Sequence, residues 1–136
     1  MKQTIFSILS FFFFFISFSC RNNGKPFIPP YDNIGGYVIA TETCNMDATK
    51  NYWLLDCTVY PNSPHIGDTL VLNGNTYTNV LKVKGLDERL KQVGMKVSID
   101  YNVVTASKVI TTGCTVNNPV TYNLKEISII NQFEIR

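Results

Sequence analysis

Histidine is almost absent from this sequence: His65 is the only one among 136 residues. The common zinc sites need several His or Cys ligands at short spacing, and neither a second histidine nor a Cys-x-x-Cys pair is present. The missing pair also removes the usual dithiol redox motif. There is no glycine-rich phosphate loop and no Gly-x-Ser-x-Gly. His65 beside Asp68 could pair a base with an orienting acid, but no motif ties a nucleophile to it, so an exposed loop histidine is the simpler reading. Glu42 and Asp47, near a first loop, read as solvated surface acids. The residues point to a protein that is not an enzyme, with no metal and no cofactor.

Excess charge of one sign is lacking too. The chain has 12 basic and 10 acidic residues, and without residues 1–19 it loses Lys2 and no acid. Near-neutrality gives no general attraction to nucleic acid. Five basic residues between Lys82 and Lys96, against two acids, read as a solvated surface.

Apolar runs are short except at the start. Met1-Lys2 precedes an apolar stretch from Ile5 to Phe18, broken only by serines, which is the form of a secretory signal peptide. A spanning helix needs about 20 apolar residues, more than this stretch supplies. It ends in Ser19-Cys20, the small-residue-plus-cysteine ending of bacterial lipoprotein signals, although Ser17 and Phe18 depart from the usual preceding residues. Cys20 is therefore the expected lipidation site, after a signal over residues 1–19. Arg21 to Asn33, with Pro26, Pro29, Pro30 and Gly24, reads as a tether over residues 20–33. It carries no acid directly after the cysteine, where lipoproteins of the kind this chain resembles often carry acids when they are exported to the cell surface, so the resemblance implies the periplasmic face of the outer membrane.

From residue 34 to 136 the signals are mainly β. Tyr37–Thr41 and Tyr52–Tyr60 read as strands. Thr69–Leu72 and Thr76–Lys84 flank Asn73-Gly74, whose positive φ preference makes a tight hairpin. Leu86, Leu90 and Val93 then recur at helical spacing over about two turns, stopped by Gly94. Met95, Val97, Ile99, Tyr101 and Val103 alternate with polar residues, and Ile127, Ile129, Phe133 and Ile135 share a parity in the last strand. Three strand regions, a helix and two strands are the order of a small five-stranded OB-like β-barrel with one short helix between strands 3 and 4. A β-sandwich is the alternative.

Three cysteines follow Cys20. Cys57 shares a face with Trp53, Leu55 and Val59 and is expected in the core. Cys44 and Cys114 fall at strand ends or in loops and are expected to pair, in an oxidising compartment. On the barrel reading that bridge joins the two loops that frame the usual OB binding face. The non-core face of strands two and three would present Tyr52, Leu54, Thr58 and Tyr60 beside Thr78, Val80 and Lys82. Aromatics with scattered hydroxyls suit a glycan, a peptide or an envelope protein. Single-stranded nucleic acid would demand more positive charge there.

Gly36-Tyr37-Val38-Ile39 before Cys44, Ile66-Gly67-Asp68, Tyr77-Thr78-Asn79-Val80, Lys96-Val97-Ser98-Ile99-Asp100-Tyr101, Cys114 and Ile127-Ser128-Ile129 resemble a loose group of small Bacteroidota lipoproteins. The resemblance implies an envelope location and a barrel, and carries no catalytic residue. The expectation is a lipid-anchored, non-catalytic binding or accessory module of the cell envelope, held to the membrane through Cys20. A protein inhibitor using its stapled loops, or a thiol-dependent enzyme or redox factor using Cys57 or His65, is the alternative.

Overall fold

The computed structural model describes residues 31–136. The expected signal peptide, Cys20 and most of the tether lie outside the described residues. Six strands form one sheet: β1 (Asp32–Thr41), β2 (Trp53–Asp56), β3 (Asp68–Leu72), β4 (Asn75–Val83), β5 (Lys96–Val104) and β6 (Glu126–Glu134). Their order is β2-β1-β5-β6-β4-β3, and a further β2–β4 pairing brings the sheet round on itself. The ring closes unevenly. β5 and β6 pair over most of their length, whereas the parallel β4–β6 join rests on Lys82↔Glu126 and Val83↔Ile127 alone. One wrapped sheet replaces the sandwich alternative.

The strand count corrects the expectation of five. Asn73 (φ 51°) and Gly74 (φ 81°) do make the tight turn, with Leu72 opposite Asn75 and Val71 opposite Thr76. β3 is thereby a separate strand on the outer half of β4, while the other half of β4 pairs with β2 and β6. β2 is shorter than the Tyr52–Tyr60 expectation. Past Asp56 the chain is held by Asn79, whose amide nitrogen donates to the carbonyls of Cys57 and Pro64, each at 3.0 Å. Its side-chain oxygen accepts from the Gly67 N–H at 2.8 Å.

The two-turn helix is also corrected. Glu88–Leu90 is a single 3-10 turn, the nearest thing to a helix between β4 and β5. Gly85 (φ 80°) and Gly94 (φ 90°) bound a connection too short to repay helix nucleation. Gln132 of β6 pins the turn, accepting from the Asp87 N–H at 2.9 Å and donating to the Gly85 carbonyl at 3.1 Å. Leu86 and Leu90 plug the ring, and Val93 faces outward.

Two core clusters result. Inside the ring, Ile34, Val38, Leu55, Leu81, Val97 and Ile99 pack with Cys57 and Ile127. Burying such side chains contributes about 1.5–3 kcal/mol each. Outside it, Leu54 and Val80 pack under Leu124 of the β5–β6 connection, with Ile39, Leu70 and Tyr122 around them. Alternation holds along β5 as far as Ile99 and then fails, with Asp100 buried beside Tyr101 and bonded by Asn33 and Asn131. The extra residue Asn102 on β5 and Ile130 on β6 shift the register, so Val103 lies opposite Ser128 and Phe133 opposite Ser98. A one-residue slip exchanges the two faces of a strand, which is why Val103 and Phe133 are exposed instead of buried.

Candidate functional site

The end of β1 leads into a connection (residues 42–52) that would be polar and loose without internal bonds. Asn51 supplies them. Its buried side-chain oxygen accepts from the backbone N–H of Cys44 at 3.1 Å and of Asn45 at 2.7 Å. Asp47 caps the Ala48–Lys50 turn through the Thr49 N–H. Its carboxyl is held below the usual carboxylate range by the Thr49 hydrogen bonds, side-chain then backbone, with Lys50 adding to them.

Facing it is the long β5–β6 connection (residues 105–125). Thr43 and Val120 exchange backbone hydrogen bonds at 2.9 and 3.0 Å, and the Thr115 N–H donates to the Cys44 carbonyl at 2.8 Å. Cys44 and Cys114 form the expected disulfide, 70 residues apart in sequence. Constraining a loop of that length contributes about 4 kcal/mol on the chain-entropy account. Cys57 is buried, as expected, and is a free thiol, and burial pushes its pKa up, away from the thiolate needed for nucleophilic chemistry.

Beneath the stapled connections lies an ion pair that corrects two sequence expectations. Glu42 is no surface acid and Lys82 no solvated surface base: both side chains are 0% exposed. The Lys82 ammonium lies 3.5 Å from Glu42 Oε1. It donates to Thr111 Oγ1 at 2.9 Å and to the Tyr122 carbonyl at 3.3 Å. Glu42 accepts from the Tyr122 N–H at 2.9 Å and from the Thr111 hydroxyl. Both charges thus have partners on every side, as a buried pair requires. The network ties the β1–β2 connection, β4 and the β5–β6 connection together.

Above this pair opens a cleft of about 350 Å³. Asn45, Lys50 and Tyr52 line it from the β1–β2 connection, Lys84 from just past the end of β4, and residues 109–112 from the β5–β6 connection. The Tyr52 ring has the Lys82 ammonium 4.8 Å and the Lys84 ammonium 5.7 Å from its centroid. Burial, and then the nearby Glu126 and Glu42 carboxylates, push the Tyr52 phenol up to about 12. It stays protonated at neutral pH and can donate a hydrogen bond. Hydroxyls, an amide, ammonium groups and the aliphatic Val109 and Ile110 can hold a ligand there; no acid lines the space.

The expected binding face is not one surface. Tyr52 lines the cleft and Lys82 lies buried under it, while Leu54 and Val80 are consumed by the outer core. Thr58 and Thr78 are exposed but do not line the cleft. Tyr60 lies against Gly35, where an added Cβ would come within 2.5 Å of its ring. His65 is exposed, and Asp68 instead accepts from the Lys125 N–H at 2.7 Å and faces Lys108 at 3.6 Å. Among the described residues no group of three His, Cys, Asp or Glu could hold a metal ion, and no helix is long and apolar enough to cross a membrane. Lys50, Lys84 and Thr111 escaped the sequence reading, because only the fold brings them together. The one available signal was Lys82 itself, a cation set among Val80, Leu81 and Val83.

No family model, curated protein or solved structure matches the chain.

Proposed function

We propose that this protein is a lipid-anchored, non-catalytic binding or accessory module of the bacterial cell envelope, with an OB-like barrel domain that binds at the cleft over Tyr52. The observation that carries the reading is the stapling of the two cleft-forming connections by Cys44–Cys114 and by the Glu42–Lys82 pair. A surface made of otherwise irregular chain is thereby held in shape before any ligand arrives, which reduces the ordering penalty of binding. The pairing cycle β1–β2–β4–β6–β5–β1 supports the OB-like assignment, with β3 as an added outer strand. The disulfide supports an oxidising compartment and, with the signal-like start and Cys20, an envelope location on the periplasmic side of the outer membrane. The buried Cys57 gives the thiol-factor alternative little support.

The test is in-cell cross-linking followed by capture of the tagged, lipidated chain. A partner or glycan recovered with the natural chain is expected to be lost with Tyr52→Ala or Lys84→Glu. It is expected to persist with Tyr60→Ala, which alters an aromatic outside the cleft. Circular dichroism checks each fold. Recovery that is indifferent to Tyr52 and Lys84 but sensitive to Tyr60 would move the binding surface elsewhere.

A further inference from the structure

We infer that the cleft takes an anionic saccharide, a sugar unit bearing a carboxylate, with Lys84 as its principal charge contact. This deepens the preceding proposal and rests on its reading of the cleft as the binding surface. The first argument is the disposition of charge. Two lysines line the space and no acid does. Two of the acids nearby are already engaged: Glu42 by Lys82, Thr111 and the Tyr122 N–H, and Asp47 by Thr49 and Lys50. Glu126 lies towards the Tyr52 phenol. Lys84, in contrast, makes no salt bridge among the described residues, and its ammonium is held over the Tyr52 ring. A cation held on an aromatic face without a carboxylate partner is arranged to receive an anion.

The second argument is the rest of the lining. Thr111, Thr112 and Asn45 offer hydroxyl and amide groups, which exchange hydrogen bonds with sugar hydroxyls in both directions. A peptide is the weaker candidate. Extended peptides commonly bind by adding a strand to a free sheet edge. The sheet at the cleft offers no such edge, because β2 is already paired with β1 on one side and β4 on the other. The volume, near the lower end of the roughly 300–1,000 Å³ usual for small-ligand sites, suits one or two sugar units better than a folded partner.

The experiment uses the isotope-labelled full chain in detergent micelles and follows backbone amide shifts. Three probes are titrated: tetragalacturonate, its fully methyl-esterified form, which removes the charge and keeps the sugar, and a tetraglutamate peptide. The expected result is that tetragalacturonate shifts the amides of Tyr52, Lys84, Thr111 and Thr112, that the ester binds about tenfold or more weakly, and that Lys84→Glu abolishes the difference. Raising salt should weaken the charged sugar and leave the ester unchanged. Equal binding of sugar and ester at the cleft overturns the anion requirement and leaves the cleft reading standing. Tighter binding of tetraglutamate overturns the saccharide assignment. Shifts confined to another surface, or none with any probe, overturn the inference itself. The cleft reading is then decided by the cross-linking experiment alone.

Discussion

At the residue scale the buried Glu42–Lys82 pair sets the desolvation of two charges against their mutual attraction. Its two charges lie outside the main core, under the β5–β6 connection, where desolvation is severe and every hydrogen-bonding site must be filled. Removing one partner strands the other. Lys82→Ala is therefore expected to destabilise the protein by about 3–5 kcal/mol. The double replacement Glu42→Leu with Lys82→Met should lose much less, because no buried charge is left over. Urea denaturation of the single and double variants measures both; a double variant as unstable as the single would show that the pair's geometry, not its charge balance, holds the connection. The protonated groups give a second residue-scale expectation. Tyr52 is shifted from 10.0 to about 12 and Cys57 is raised from 9.0, so the folded state binds these protons more tightly than the unfolded state. Their stabilisation is complete below the unfolded values and declines as pH rises, first from about pH 9 and then through the interval from 10 to about 12. Stability measured across that range should fall, and the fall should be shallower in Tyr52→Phe and Cys57→Ala.

At the scale of elements, the β5–β6 connection, residues 105–125, has 21 residues with no regular strand or helix, an unusual length for a compact domain. Its order comes from one internal bridge, Val109 to Leu124, and from ties to other segments: the bridge to Thr43, Leu124 in the outer core, Thr111 on the ion pair and the disulfide. Reduction of Cys44–Cys114, or the Cys44→Ala with Cys114→Ala variant, is expected to cost about 2–4 kcal/mol. The loss should be uneven. Amide hydrogen exchange is expected to accelerate in residues 109–120 and in 43–51 while the β1–β5 pairing stays protected. Uniform acceleration across the sheet would mean that the bridge supports the whole ring and not chiefly the cleft.

At the scale of the whole molecule, the proposed anchor sets what the domain can reach. β1 begins at Asp32, paired with Tyr101, so the domain lies within a dozen residues of Cys20. On that proposal, a tether of that length would confine the cleft close to the membrane surface. On the proposal that Cys20 is acylated, metabolic labelling with a palmitate analogue is expected to mark the natural chain and to fail with Cys20→Ala, which should also leave the membrane fraction. Labelling that survives the replacement would remove the anchor from the proposal while leaving the cleft untouched.

Local chemistry alone determined several features. Asn73-Gly74 specified its turn, because two successive positive φ values suit few residue pairs, and the apolar alternation of Val97, Ile99 and Tyr101 specified a strand with one buried face. The same parity placed Cys57 in the core, which left Cys44 and Cys114 to pair. Tertiary structure decided the rest. Whether the face carrying Leu54, Val80 and Lys82 met water depended on where a connection more than twenty residues further along the chain would lie, and no strand periodicity records that. The bulges at Asn102 and Ile130 inverted Val103 and Phe133 through a register shift that only pairing reveals. The cleft is the clearest case. Lys50 and Tyr52, Lys84, and Thr111 come from three separate segments, and their common chemistry exists only because the sheet wraps round and the stapled connection folds back over it.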